Sequence, residues 1–163
     1  CLSDWSSNVC SSDLVLVVIF STDLDVLLLE RADRPGFWQS VTGSKDTLDE
    51  PLRETAVREV FEETGLQIGS AGLPESALVD WNLSNVYEIY PVWRHRYAPG
   101  ITHNTEHVFG LLASKDIPIK LAEREHLQFQ WLSWRLAADQ CFSPSNAEAI
   151  LQLPHYLNIA APQ

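Results

Sequence analysis

Residues 43–66 read GSKDTLDEPLRETAVREVFEETGL, and this stretch decides the fold. Glu59, Glu62 and Glu63 occupy positions i, i+3 and i+4, so their side chains share one face of a helix. Like charges at this spacing destabilise a helix unless a positive charge offsets them. A bound divalent cation would supply that charge, so the pattern predicts a metal site on a helix.

The ends and the second face of this helix are also visible in the sequence. Pro51 suits a first helical turn, and Gly65 suits a C-terminal cap. Arg58 lies four residues before Glu62, close enough to orient a carboxylate. An apolar stripe suited to a core is formed by Leu52, Ala56, Val57 and Val60. The alternative interpretation is a solvated surface helix held by salt bridges.

This pattern resembles the Nudix box: a glycine, a glutamate, then Arg-Glu-x-x-Glu-Glu-x-Gly and an aliphatic residue. The resemblance implies an enzyme that binds Mg²⁺, with Mn²⁺ as a substitute, and hydrolyses a diphosphate linked to another moiety. The chain departs from the family pattern in the loop before the helix. Six residues separate Gly43 from Glu50, where the family usually has five.

Hydrolysis of a phosphoanhydride requires neutralised phosphate oxygens and an activated water. Mg²⁺ prefers oxygen ligands and keeps several waters, so two carboxylates one helical turn apart suit it. Glu59 and Glu63 are therefore the first expected ligands. Glu62 is either a third ligand or a partner of Arg58, which we count with the catalytic residues.

Nudix enzymes usually recruit one more acidic residue from outside the helix, often from the loop before a late strand. Glu125 fits that description as a metal ligand or as a base that activates water, with Glu123 behind it. Glu106 is the competing candidate. Either could also be an ordinary loop carboxylate.

Similarity beyond the box is distributed over four stretches: FWQSVTGS at 37–44, RHRYAPG at 94–100, NTE at 104–106, and EH at 125–126. Together they resemble a bacterial Nudix subfamily of folate biosynthesis. That resemblance implies hydrolysis of 7,8-dihydroneopterin triphosphate to the monophosphate and pyrophosphate. It also implies a set of substrate-binding residues: Arg31, Thr42, Tyr87, Glu88, Ile89, Tyr90 and Ser143. Arg94 is added for its positive charge, which would attract a triphosphate.

Two alternatives stay open. One is a Nudix hydrolase of nucleoside triphosphates such as dATP, because a metal site recognises the polyphosphate rather than the ring. The other is a Nudix-fold binding module without catalysis, although a pure binder has no need for three crowded carboxylates. In both cases the expected partner is a small molecule, and the oligomeric state is open.

Charge and composition exclude other function classes. The formal charge is −11, and −9 without Asp4 and Asp13, so nucleic-acid polymers and anionic membranes would be repelled. We find no run long and apolar enough to span a membrane. Outside the N-terminal segment Cys141 is alone, which predicts no disulfide framework there and a cytoplasmic location.

The organisation predicted is one domain. Residues 1–14 resemble a translated sequencing adapter and are set aside as an artefact or tail, 15–157 form a single Nudix domain, and 158–163 form a tail. Strands are predicted at 14–20, 26–29, 77–81, 86–97, 107–113 and 128–132, with a closing helix at 145–153. Strands with one helix in the middle and one at the end predict an α/β/α sandwich around a mixed sheet.

Overall fold

A mixed β-sheet forms the centre of the computed structural model, which describes residues 10–157. Its strands within that range are β1 (Asp13–Phe20), β2 (Asp25–Arg31), β3 (Trp38–Gln39), β4 (Val41–Ser44), β5 (Leu78–Glu88), β6 (His103–Leu112) and β7 (His126–Ser133). The order is β3-β2-β1-β6-β5, with β4 paired to β1 and β7 to β2. The β1–β6 pair is parallel, whereas β1–β2, β1–β4, β2–β7 and β5–β6 are antiparallel.

Helices cover both faces of this sheet. They are α1 (Leu52–Thr64), α2 (Trp134–Gln140), α3 (Pro144–Leu151) and α4 (Leu153–Tyr156), and two 3-10 helices span Glu75–Ala77 and Pro91–Arg96. The core against one face includes α1, and the core against the other includes α2 and α3. The predicted α/β/α sandwich is confirmed.

Strand β1 separates these two cores because its side chains alternate between the faces. Val15 and Val17 pack in the cluster that contains Val60 of α1, whereas Leu16 packs in the cluster that contains Ile150 of α3. A strand buried on both faces needs a continuous apolar run, which its sequence supplies. The face of any residue paired to β1 can therefore be assigned from the register.

The helix that carries the acidic pattern has the predicted ends. It begins at Leu52 directly after Pro51, and Gly65 follows its last residue with a positive φ of 73°. The Gly65 N–H donates to the Phe61 carbonyl, as expected for a left-handed helix cap.

The predicted strand at 86–97 is wrong beyond Glu88, and its first three residues belong to the same strand as the predicted segment 77–81. Strand β5 ends at Glu88, and residues 91–96 form a 3-10 helix that begins at Pro91. Proline has no N–H for a sheet ladder, and its fixed φ suits the start of a helical turn. The side chains of Arg94, His95 and Arg96 therefore do not alternate across a strand. Helix α2 was not predicted.

The N-terminal segment set aside on sequence grounds is partly inside the described range. Strand β1 begins at Asp13, the Ser12 carbonyl accepts the Thr105 N–H, and Cys10 is disulfide-bonded. Residues 1–9 and the predicted tail at 158–163 lie outside the described residues, and the origin of the segment stays a prediction. Cys141 is a free, half-buried thiol. Within residues 10–157, no helix is long and apolar enough to cross a membrane.

A buried side chain of α3 ties that helix to the start of β4. Asn146 Oδ1 accepts the Ser40 backbone N–H at 2.8 Å, and its Nδ2 donates to Ser40 Oγ at 2.9 Å. Both residues are buried. This pair fixes α3 beside the strand that leads into the acidic helix.

We expect Asn146→Ala to destabilise the protein by about 1–3 kcal/mol, because it leaves the buried Ser40 N–H without an acceptor. Urea unfolding would measure the change. Glu148→Ala on the exposed side of the same helix is the matched control. Equal unfolding midpoints for the two variants would contradict a structural role for this pair.

Candidate active site

The acidic face of α1 is buried against β4. Glu59 is 9% exposed and Glu63 is 2% exposed. A Cβ added at Gly43 of β4 would lie 2.0 Å from the Glu59 carboxyl carbon, so only glycine leaves room for this carboxylate. The glycine and the glutamate of the sequence pattern are therefore direct neighbours in space.

Both oxygens of Glu63 are held. His126 Nε2 lies 2.6 Å from Oε1, and the Thr42 backbone N–H donates to Oε2 at 3.2 Å. His126 is itself buried at the start of β7, and burial lowers its pKa. With its proton on Nε2, the neutral ring donates to the carboxylate and fixes its orientation.

Burial works against the negative charge of both carboxylates. It raises the pKa of Glu59 to about 8, with the neighbouring charge of Glu63 as the next cause. Burial also raises the pKa of Glu63 well above its ordinary value, and the charge of Glu125 adds to the shift. Two neighbouring buried carboxyl groups with raised pKa values ionise more readily when a cation lies beside them. Their arrangement therefore suits a cation-binding site.

Arg58 is the cation of this region. Its guanidinium lies 3.0 Å from the carboxylates of Asp46, Glu50 and Glu59, and 3.3 Å from that of Glu62. It also donates to the Ser44 carbonyl at 2.8 Å. Partial burial disfavours its charge, but these acidic neighbours outweigh that effect and raise its pKa.

Glu50 is fixed despite the longer loop before it. Burial alone would raise its pKa, but hydrogen bonds from Arg58, Thr55 and the Asp46 backbone lower it overall. The Thr55 hydroxyl donates to Glu50 Oε1 at 2.6 Å. Glu50 therefore stays ionised beside Arg58.

The fit to a divalent cation rests on Glu63, Glu125 and His126. Each offers one ligand atom within 4.8 Å of the others. Glu125 is exposed beside the two buried residues, so it is accessible to a ligand. Glu62 is not in this group, since its half-exposed carboxylate contacts Arg58. The carboxylates of Glu63 and Glu125 lie close together, so their negative charges repel each other. Hard cations such as Mg²⁺ bind carboxylate oxygens and would relieve that repulsion.

Arg31, predicted to contact phosphate, lies near this group. Its guanidinium binds Asp33 through two hydrogen bonds of 2.8 and 2.6 Å and lies 5.7 Å from the Phe142 ring centroid. The hydrogen bond to Asp33 raises the pKa of Arg31 against the opposing effect of burial, and the charges of Asp33 and Glu63 add to the rise. Thr42 contributes its backbone N–H to Glu63, as described above. Ser143 precedes α3, and its hydroxyl lies 3.0 Å from that of Ser145.

The residues predicted to line the ring side divide into two groups. Tyr87 lies opposite Asn104 in the β5–β6 register and is 38% exposed. Glu88 accepts a hydrogen bond from Arg94, Ile89 is buried, and Tyr90 contacts Trp93 edge to face. Tyr87 therefore shares a sheet face with Asn104, Glu88 is the last residue of β5, and Ile89 and Tyr90 follow the strand.

The sequence did not predict that His126 contacts Glu63, which makes His126 an additional candidate functional residue. Its only signal was its position next to Glu125. Contact between residues 63 positions apart depends on the pairing of β7 with β2, and a local motif carries no information about that pairing.

Comparison with known proteins identifies the family of this chain. A model of the NUDIX domain matches residues 12–153. The chain is 46% identical over 138 residues to dihydroneopterin triphosphate diphosphatase of Haemophilus influenzae, covering 83% of each chain. It is 42% identical over 139 residues to the Escherichia coli protein of that name, covering 85% of this chain and 89% of the relative.

The fold agrees with a solved relative. The structure of the E. coli dihydroneopterin triphosphate pyrophosphohydrolase superposes with a TM-score of 0.74 at 40% identity, covering 90% of this chain and 97% of the other. The chain therefore belongs to the Nudix family of hydrolases.

Proposed function

We propose that this chain hydrolyses 7,8-dihydroneopterin triphosphate to the monophosphate and pyrophosphate with the help of Mg²⁺. The observation that carries the proposal is the pair of buried carboxylates, Glu59 and Glu63, under Gly43. The names of relatives at 42–46% identity support the substrate. A small-molecule partner rather than a nucleic-acid polymer, and a cytoplasmic location, stay predictions.

The residues proposed to hold the metal are Glu63 and Glu125 of the group described above, together with Glu59, the neighbouring buried carboxylate on α1. His126 is not counted as a ligand in this proposal, because its Nε2 donates to Glu63. Bound Mg²⁺, or Mn²⁺ in its place, would neutralise charge on the phosphate oxygens and lower the pKa of a bound water. Glu62 takes the second of its two predicted roles in this proposal, as a partner of Arg58.

The surrounding residues hold these carboxylates in place. Arg58 binds Glu59 at 3.0 Å, and His126 and the Thr42 N–H bind the two oxygens of Glu63. Ligands held by such neighbours need no reorganisation when substrate binds. In this proposal Arg31 approaches the phosphate chain as a bidentate donor.

Glu125 has the position of a proton acceptor. It is exposed, and its carboxylate lies in the same group as the Glu63 carboxylate and the His126 imidazole. A carboxylate beside the attacking water can take its proton as the new P–O bond forms. Whether Glu125 acts as base or ligand, it fills the fourth acidic role that the sequence left open between it and Glu106.

We expect Glu59→Gln and Glu63→Gln each to lower kcat/KM by roughly a hundredfold or more, because each removes a ligand charge. Neither should unfold the protein, since an amide relieves the repulsion on α1. Pyrophosphate release at saturating Mg²⁺ and a thermal melt measure the two effects. The matched control is Glu54→Gln on the exposed side of α1. Near-native activity of either test variant would rule out this metal site.

The metal-free protein should lose stability as pH rises from about 5 to 8. The pKa of Glu59 is about 8 in the folded chain against an ordinary 4.5, so the folded state binds the proton more strongly. The contribution of Glu59 to the free energy of unfolding is full below the ordinary pKa of 4.5 and is lost as pH rises through the folded pKa of about 8. Between these values the free energy of unfolding falls by about 1.4 kcal/mol per pH unit for one proton. Urea unfolding in EDTA, compared with Glu59→Gln, measures this slope. Parallel pH profiles for the two proteins would contradict it.

The substrate is tested by assaying pyrophosphate release from dihydroneopterin triphosphate, dATP and GTP under the same conditions. We expect kcat/KM for the pterin substrate to exceed both nucleotides by at least about tenfold, equivalent to about 1.4 kcal/mol of transition-state binding. The triphosphate is common to all three, so the difference must come from the ring pocket. Equal or faster nucleotide hydrolysis would leave a Nudix hydrolase with a different substrate.

A further inference from the structure

A second polar group lies away from the α1 carboxylates. We call it the Glu106 cluster, and it consists of Asn85, Tyr87, Asn104, Glu106 and Ser145. The β5–β6 register places Asn85 opposite Glu106 and Tyr87 opposite Asn104, so these four side chains share one face of the sheet. Ser145 reaches the same face from α3.

The face of this cluster is the one covered by α3. In the parallel β1–β6 pair, Leu16 lies beside Val108, and both pack in the core that contains Ile150 of α3. Glu106 is two residues before Val108 and therefore points to the same side. Since α1 packs on the opposite side, Glu106 is not placed to join Glu59 and Glu63 on a metal.

Glu106 is a buried acid without a cationic partner among residues 10–157. It is 6% exposed, and its hydrogen-bond partners are the Ser145 hydroxyl, at 3.0 Å, and Asn85. Burial raises its pKa, although both hydrogen bonds work against the shift. A buried carboxylate with spare acceptor capacity requires a donor that these contacts do not supply.

Asn104 provides an independent observation in the same cluster. It is 7% exposed, and its side-chain oxygen has no hydrogen-bond partner within the described range. Its amide donates to Tyr87, whose pKa is raised to about 12 by burial and then by the charge of Glu106. Two buried acceptors with unused capacity therefore lie beside one partly exposed aromatic ring.

The cluster connects to the phosphate side of the site through α3. Arg31 lies 5.7 Å from the Phe142 ring, and the next residue, Ser143, contacts Ser145 at 3.0 Å. Ser145 in turn donates to Glu106. At one end of this path, the Arg31 guanidinium suits a phosphate. At the other end, the Glu106 carboxylate would repel a phosphate.

We propose that Glu106 determines specificity for the ring of the substrate by accepting the adjacent ring N–H and exocyclic amino N–H of an amino-pyrimidinone. This inference rests on the proposed function, since a pterin carries that edge. A carboxylate can accept two parallel N–H bonds, as it does from a guanidinium. Adenine presents a ring acceptor beside its amino group, so one carboxylate oxygen would face a lone pair. Guanine shares the pterin edge.

The test is Glu106→Gln, which keeps the shape but replaces one acceptor with a donor. We expect kcat/KM for dihydroneopterin triphosphate to fall at least about tenfold, mainly through KM, and that for dATP to change by less than about threefold. Competitive inhibition by 7,8-dihydroneopterin, which lacks phosphate, should weaken by a similar factor. Inhibition by inorganic pyrophosphate should not change.

Two further variants make the result specific. Glu148→Gln, on the exposed side of α3, is the matched control and should alter none of these values. Ser145→Ala removes a donor to Glu106 without changing the charge and should shift the pterin-to-dATP ratio in the same direction by less. Equal losses on both substrates with Glu106→Gln, or an unchanged ratio, would overturn the inference.

The proposed function and this inference can fail separately. If the unmodified protein hydrolyses nucleotides as well as the pterin substrate, the proposed function fails. The role of Glu106 is then measured by the GTP-to-dATP ratio, which Glu106→Gln must lower. An unchanged GTP-to-dATP ratio would overturn the role of Glu106 in that case too.

Discussion

The contacts of Arg58 are the constraint on which the rest of the site depends. Four carboxylates, from the loop before α1 and from α1 itself, surround one guanidinium, which also binds the Ser44 carbonyl of β4. A partly buried guanidinium is favourable only when its donors are paired, and Arg58 is paired in several directions. It therefore joins strand, loop and helix at the point where Glu59 meets Gly43. The buried Glu59 carboxylate keeps its geometry because this cation stays in place, whereas Glu63 is held by His126 and the Thr42 N–H.

The sheet separates two kinds of chemistry. Acidic residues on α1 lie on one face, where Glu59 and Glu63 are proposed to bind a cation that holds phosphate. The Glu106 cluster lies on the other face, where acceptors suit a hydrogen-bond donor. Strand β1 keeps the two groups apart because its side chains are apolar on both faces. A substrate with an anionic chain and a donor-rich ring matches this division better than an anion alone.

The parts of the fold that depend on local spacing could be predicted from the sequence, whereas contacts between distant segments could not. The ends of α1 follow from Pro51 and Gly65, and its buried face follows from residue spacing. The contact between His126 and Glu63 depends on the register of β7 with β2, which no local pattern encodes. The mistaken strand at 86–97 shows the same limit, since apolar and aromatic residues favoured a strand while Pro91 began a helical turn. The burial of Glu106 likewise follows from its pairing with β5.

The extra residue between Gly43 and Glu50 shows which parts of the Nudix pattern are fixed by contacts. A side chain at Gly43 would displace the Glu59 carboxylate, which occupies the space of a Cβ, and Glu50 is held by Arg58 and Thr55. The loop between them is anchored at both ends, and Asp46 adds its own bond to Arg58. One more residue in such a loop adds little closure entropy. The spacing within α1 has no such freedom, because one inserted residue would rotate Glu63 by about 100° away from His126 and Thr42. The contacts therefore explain why the loop departs from the family pattern while the helix retains it.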